Sequence, residues 1–204
     1  MADFVYEEFR GARDLVYAPI TADSATALTY GDVKPLAGLQ TVSKETESSS
    51  ATSYYDNVPA IVIESQGADT IKLTVSAIPL ETLAELTGQN FDEATGSLIE
   101  GPRDTKYFAI GYRVKMTTGK ERFVWRFKGT FSLPSTENKT EDSGTDTTNQ
   151  ELTYTGINTS HKFTKTGKTA KGLVTPSEKV DESTFFDDVT TPDSVTAKTA
   201  QSGS

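Results

Sequence analysis

The sequence contains no cysteine and only one histidine, His161. The first absence removes disulfide scaffolds, thiol catalysis and zinc-thiolate sites. The second removes any multi-histidine metal centre or paired-histidine relay. No apolar run approaches the roughly 18 residues of a membrane-spanning helix. The opening residues, Met1 to Glu8, are acidic and lack an apolar signal core, so secretory export is not expected. Positive charge is also scarce: 20 Lys and Arg stand against 29 Asp and Glu, a net −9. That excess of acid argues against a dedicated DNA-binding domain. The hydrophobic fraction of 35% is low, yet sufficient for a real core. What is abundant is the small hydroxyl, since 32 Thr and 18 Ser make up 50 of the 204 residues. Together these features disfavour much enzyme chemistry and favour a β-rich, soluble body of one domain.

Charge is unevenly placed. Residues 106–133 hold seven bases and one acid, Glu121, whereas 66–105 hold seven acids and two bases. Residues 176–204 hold six acids and two bases. Solvated strand faces and acidic loops explain this pattern, and so do complementary patches that meet in self-assembly. Three segments read as poorly packed: a long loop at 43–57, a polar loop at 134–150, and a flexible tail at 187–204. The domain is therefore expected to span 1–186.

The clearest element is a hairpin. Over 107–116, Phe108, Ile110, Tyr112, Val114 and Met116 alternate with Arg113 and Lys115, the period of a half-buried strand. Thr117-Thr118-Gly119-Lys120 supplies the turn. On the return strand, 121–131, Phe123, Trp125, Phe127 and Phe131 share one face, and Arg122, Arg126 and Lys128 the other. The expectation is one apolar sheet face and one basic face. Further strands are expected at 12–18, 36–42, 58–64, 70–77, 151–157 and 160–166, with 65–69 as a connection. Pro59 fits a strand start or edge. Ile71, Leu73 and Val75 join the expected core with Leu83, Phe108, Ile110, Phe123, Trp125 and Phe127.

One helix is signalled at 79–87. Pro79 stands in its first turn, Gly88 stops it, and Leu80, Leu83, Ala84, Leu86 and Thr87 form an apolar stripe opposite Glu81 and Glu85. A small hairpin follows over 91–99. The predicted fold is mainly β: an antiparallel β-sandwich or partly closed barrel with one short flanking helix.

The run Pro79-Leu80-Glu81-Thr82-Leu83-Ala84-Glu85-Leu86-Thr87-Gly88, then Phe91-Asp92-Glu93-Ala94-Thr95-Gly96, resembles the major tail proteins of long-tailed phages infecting Gram-positive bacteria. Phe123-Val124-Trp125 with Lys128-Gly129-Thr130-Phe131-Ser132-Leu133-Pro134 is similar to them too. So are Leu28-Thr29-Tyr30-Gly31 with Leu36-Ala37-Gly38, and Tyr55-Asp56-Asn57 before the strand at 58–64. The resemblance covers about 4–157 and weakens beyond 158. It implies a structural virion protein, not an enzyme, that assembles as hexameric rings stacked into a tail tube. DNA would pass through that tube to the host without specific binding. The implied partners are further copies of the chain and other tail proteins, such as the tape measure and tail terminator. No membrane and no cofactor is implied, and assembly would take place in the host bacterial cytoplasm.

In the family a long loop between early strands reaches the neighbouring ring, and here it matches 43–57. Tyr54 and Tyr55 would anchor that contact, because aromatic residues are enriched at interface cores. Lys44, Glu45, Glu47 and Asp56 would set its register. Such a loop could order by pairing with a neighbour, which leaves open whether it is ordered beforehand. Six copies multiply the −9 charge around a ring, and acids lining a lumen would repel DNA from its wall.

Other motifs carry less. His161 reads as a surface or edge residue. Asn138-Lys139-Thr140 and Asn158-Thr159-Ser160 match glycosylation sequons but read as polar loops. Asp92, Glu93, Asp187 and Asp188 lack calcium-loop spacing. Lys165-Thr166-Gly167-Lys168-Thr169 lacks the earlier glycine of a phosphate loop. Trp125 belongs to the core phase and is not expected as a sugar platform. The rival readings are a carbohydrate-binding or adhesive β-sandwich and a carboxylate hydrolase on a β scaffold. No carboxylate pair stands out for the latter.

Overall fold

The computed structural model describes residues 6–135 and 149–198. The fold is mainly β. Its strands are β1 (Phe9–Asp23), β2 (Leu28–Tyr30), β3 (Lys34–Ala37), β4 (Leu39–Tyr55) and β5 (Val58–Val75). After the helix α1 (Leu80–Thr87) come β6 (Asn90–Asp92), β7 (Ser97–Ile99), β8 (Phe108–Met116), β9 (Glu121–Phe131), β10 (Gln150–Gly156) and β11 (Gly172–Pro176). Nine strands form one antiparallel sheet in the order β2-β1-β8-β9-β10-β5-β4, with β3 on β1 and β11 on β9. Strands β6 and β7 make a separate small hairpin. The chain passes from β1's edge to β5's edge at Gly38, between β3 and β4, where the Gly38 carbonyl accepts the Ser76 N–H at 2.8 Å. The sheet therefore wraps over a core without closing into a barrel.

Two cores lie on opposite faces of the sheet. The inner one joins Ile71, Leu73 and Val75 of β5, Phe108, Ile110 and Tyr112 of β8, Val124 of β9, Leu152 and Tyr154 of β10, and Leu83 and Leu86 of α1. Helix α1 begins after Pro79 and ends where Gly88 takes a left-handed φ of 71°. Glu85 ties it down by accepting the Tyr17 hydroxyl at 2.8 Å and the Lys34 ammonium at 3.0 Å. Burial pushes the Tyr17 phenol's pKa up, and the adjoining Glu85 adds to the shift. Leu80, expected in the buried stripe, is exposed at the first turn, while Leu83, Ala84, Leu86 and Thr87 are buried.

The outer core corrects the sequence reading of the hairpin. Phe123, Trp125 and Phe127 do not share a face with Phe108, Ile110 and Tyr112. The β8–β9 register sets Trp125 opposite Gly111, Phe123 opposite Arg113 and Val124 opposite Tyr112, and directly paired residues share a face. Each strand is thus buried on both sides, and the expected apolar/basic division does not exist. Arg113 lies over the rings of Phe123 and Phe186, each at 4.9 Å, whereas Arg122 and Arg126 stand on the inner side.

The outer face is covered by the chain after β10. Phe163, Val180, Phe185 and Val189 are buried against Phe123, Trp125 and Phe127. The Trp125 indole donates to the Phe185 carbonyl at 3.1 Å, and the Phe127 and Phe163 rings lie 5.2 Å apart. Burying such aromatic side chains is worth roughly 1.5–3 kcal/mol each before entropy costs. The tail expected from 187 is consequently part of the fold up to Lys198. Asp193 accepts the Thr164 and Lys165 N–H groups, both at 2.8 Å, and Lys198 N–H donates to the Lys179 carbonyl at 2.9 Å. Residues 160–166 are not a strand: a turn holds them, through an isolated bridge between Phe163 and Lys168. Strand β11 was not foreseen. Most of the loop expected at 134–150 lies outside the described residues.

The segment 43–57 is likewise not a loop. Strand β4 runs through it to Tyr55, paired with β5 from Leu39↔Val75 to Tyr55↔Val58. The expected strands 58–64 and 70–77 and the connection between them form one strand, β5. Asp56 and Asn57 make the turn with φ of 51° and 63°, the positive values of a tight two-residue hairpin.

Candidate functional site

Strand β10 supports β5 only from Asp69 to Val75. Beyond that, residues 46–68 continue as a bare two-stranded ribbon, about 30 Å long at 3.3 Å per residue. Ser, Thr and β-branched residues suit the extended backbone, but the ribbon has no core. Its apolar side chains are open: Tyr54, Tyr55, Val58, Val62 and Ile63 are at least 60% exposed, and Ile61 is 47% exposed. They occupy both faces. Pairing puts Tyr54 with Pro59 beside Ile61 and Ile63, and Tyr55 with Val58 beside Val62. An isolated two-stranded hairpin is marginal in water, so a ribbon apolar on both sides gains stability when a partner covers it.

The ribbon's base is fixed by Asp69, which is 3% exposed. Lys171 approaches it at 3.0 Å, Lys44 at 3.5 Å and Arg126 at 3.9 Å. Lys171 also donates to the Gly67 carbonyl. Burial pushes the Asp69 pKa up, but the Lys171 hydrogen bond, the Thr46 hydroxyl and the Lys44 and Lys171 charges outweigh it. The carboxyl is held below its ordinary value. Asp23 forms a similar knot with Lys128 at 2.6 Å and the N–H groups of Ser160 and His161 at 2.9 and 3.1 Å. Burial opposes and these bonds favour its ionised form, and the bonds prevail. His161 is half-buried with its ring edge-on to Phe163 at 5.3 Å.

A groove of about 590 Å³ opens on the inner side, between β1, β4, β8, β9 and β11. Phe9, Val42, Val114 and Val124 give it apolar walls, and Arg10, Lys44, Arg122 and Arg126 supply charge. Among the described residues no carboxylate lines it. Arg122 lies over the Phe9 ring at 5.4 Å.

The six predicted contact residues divide into two groups. Lys44, Glu45 and Glu47 sit at the ribbon's base, and Tyr54, Tyr55 and Asp56 form its tip. They do not make one site. The segment is already a hydrogen-bonded strand in a single chain, paired with β5 up to the turn at Asp56 and Asn57. The nine predicted core residues are all buried, divided between the two cores. Exposure of Val58, Ile61, Val62 and Ile63 was missed. An Asp-Asn pair beside an apolar run and a Ser/Thr run was the available signal of a hairpin. The basic groove was missed as well, because its four bases come from three separated strands, β1, β4 and β9.

Among the described residues no group of three or more His, Asp and Glu is placed to hold a metal ion. No helix there is long and apolar enough to cross a membrane. No protein-family model matches the chain, and neither does any curated protein.

Proposed function

We propose that this chain is a self-assembling structural protein: the tube subunit of a phage tail, forming hexameric rings that stack into a conduit for DNA. The ribbon at 46–68 carries the reading, because it exposes six large apolar side chains on two faces and extends well beyond the body. Contiguous exposed apolar surface of this kind marks an interaction site. A projecting arm that docks elsewhere on an identical copy is a heterologous contact, and such contacts build rings and open stacks. The exposed edge of β4 supplies unpaired backbone groups for the same purpose. The motif resemblance over 79–96 and 123–134 supports the particular choice of a tail tube. The net −9 charge, multiplied around a ring, suits a channel along which DNA slides.

Negative-stain microscopy of concentrated protein tests this. Rings or tubes are expected. A second chain, with residues 49–65 replaced by Asn-Gly, joins Ser48 to Gln66, which already pair. It is expected to fold and to remain monomeric. A full-length chain that stays monomeric at every concentration contradicts the reading.

A further inference from the structure

The groove between β1, β4 and β9 has a chemical complement on the same chain. Between Lys44 and Lys72 the sequence has no base, and its charged residues are Glu45, Glu47, Asp56, Glu64 and Asp69. The ribbon is therefore purely acidic, while among the described residues the groove is lined by four bases and no acid, in a chain whose overall charge is −9. Lys44 and Arg126 are partly neutralised by Asp69. Among the described residues Arg10 and Arg122 pair with no carboxylate.

We propose that the groove is the acceptor site for the ribbon tip of a second copy of this chain. One of Tyr54 and Tyr55 seats on the apolar wall at Phe9 and Val124, and Asp56 reaches Arg122 and Arg10. Both tyrosines are more than 60% exposed in the single chain, and a buried aromatic removes a large apolar area from water. A chain's own tip cannot serve. Lys44 is in the groove wall, and Tyr55 lies 11 residues farther along the same strand, about 36 Å away. Each copy thus offers one tip and one groove, so docking propagates from copy to copy. This rests on the assembly reading above and adds the identity of the receiving surface.

The absence of cysteine makes the test clean. The full chain carrying both Asp56→Cys and Arg122→Cys is assembled and treated with a short bifunctional maleimide, because an Asp–Arg contact holds its Cα atoms farther apart than a disulfide spans. A ladder of cross-linked multimers is expected, and neither single variant should give it. In parallel, Asp56→Arg and Arg122→Glu should each raise the concentration needed for assembly about tenfold, and the double charge swap should restore it. Circular dichroism of each variant checks folding. Assembly without cross-links and without rescue overturns this acceptor site and leaves the assembly reading standing. A chain that never assembles overturns both. If Arg122→Glu abolishes binding of inorganic polyphosphate but leaves assembly unchanged, the groove serves an external anion and the proposal fails.

Discussion

Replacing Phe185 by Ala tests whether the segment after β10 belongs to the fold. Phe185 is 3% exposed, its ring is 5.1 Å from that of Phe123, and its carbonyl accepts the Trp125 indole. Truncating a buried Phe costs about 3–5 kcal/mol through lost transfer energy and the cavity left behind. In a chain of this size 1 kcal/mol moves the melting temperature by about 2–4 °C, so a fall of roughly 10 °C is expected. The assay is thermal melting followed by circular dichroism and by tryptophan fluorescence. Trp125 is the sole tryptophan and is fully buried, so its emission reports on the cover directly. If the segment detaches locally before the sheet melts, the emission shifts red below the main transition. Phe185→Leu keeps most of the volume and should cost only about 1 kcal/mol. A Phe185→Ala chain with unchanged emission and under about 1 kcal/mol of destabilisation would refute the outer core.

Two further predictions concern the sheet. Asp69 has a folded-state pKa below its unfolded value. The stability it contributes is therefore present above the ordinary carboxylate range and is lost as pH falls through the depressed folded value. Asp69→Asn should remove that acid dependence and cost about 2 kcal/mol, read by urea titration at several pH values; an unchanged acid limb would contradict the ion cluster. At Gly129, an added Cβ would overlap the Thr155 carbonyl oxygen and the Tyr154 ring. Gly129→Ala should thus destabilise by about 1–3 kcal/mol, and a neutral melt would mean that β9 and β10 are not so closely apposed.

The parts legible in the sequence were those specified locally. The alternation of 108–116 and 121–131, the Pro79-to-Gly88 helix and the small hairpin at 91–99 each carry their own period and stop signals. Which face a strand turns inward is not local. The Phe123-Trp125-Phe127 set could be assigned to the wrong core because a one-residue difference in pairing exchanges faces. The cover from 157 to 198 has no period at all, since Phe163, Val180, Phe185 and Val189 are held by turns and by carboxylates such as Asp23 and Asp193. At the candidate site, Ser43 to Ser53 showed no apolar alternation, and its strand character comes from pairing with β5. The tip tyrosines were legible as interface anchors, whereas the bases of the receiving groove meet only after three distant strands converge.

The central claim is that the 46–68 ribbon drives assembly. Sedimentation velocity over a wide concentration range, comparing the full chain with the one in which Asn-Gly replaces 49–65, tests it most directly. The account predicts that the full chain grows into large species while the trimmed chain, folded by its circular dichroism, sediments as a monomer throughout. Equal assembly by both chains, or a full chain that remains monomeric, would contradict it.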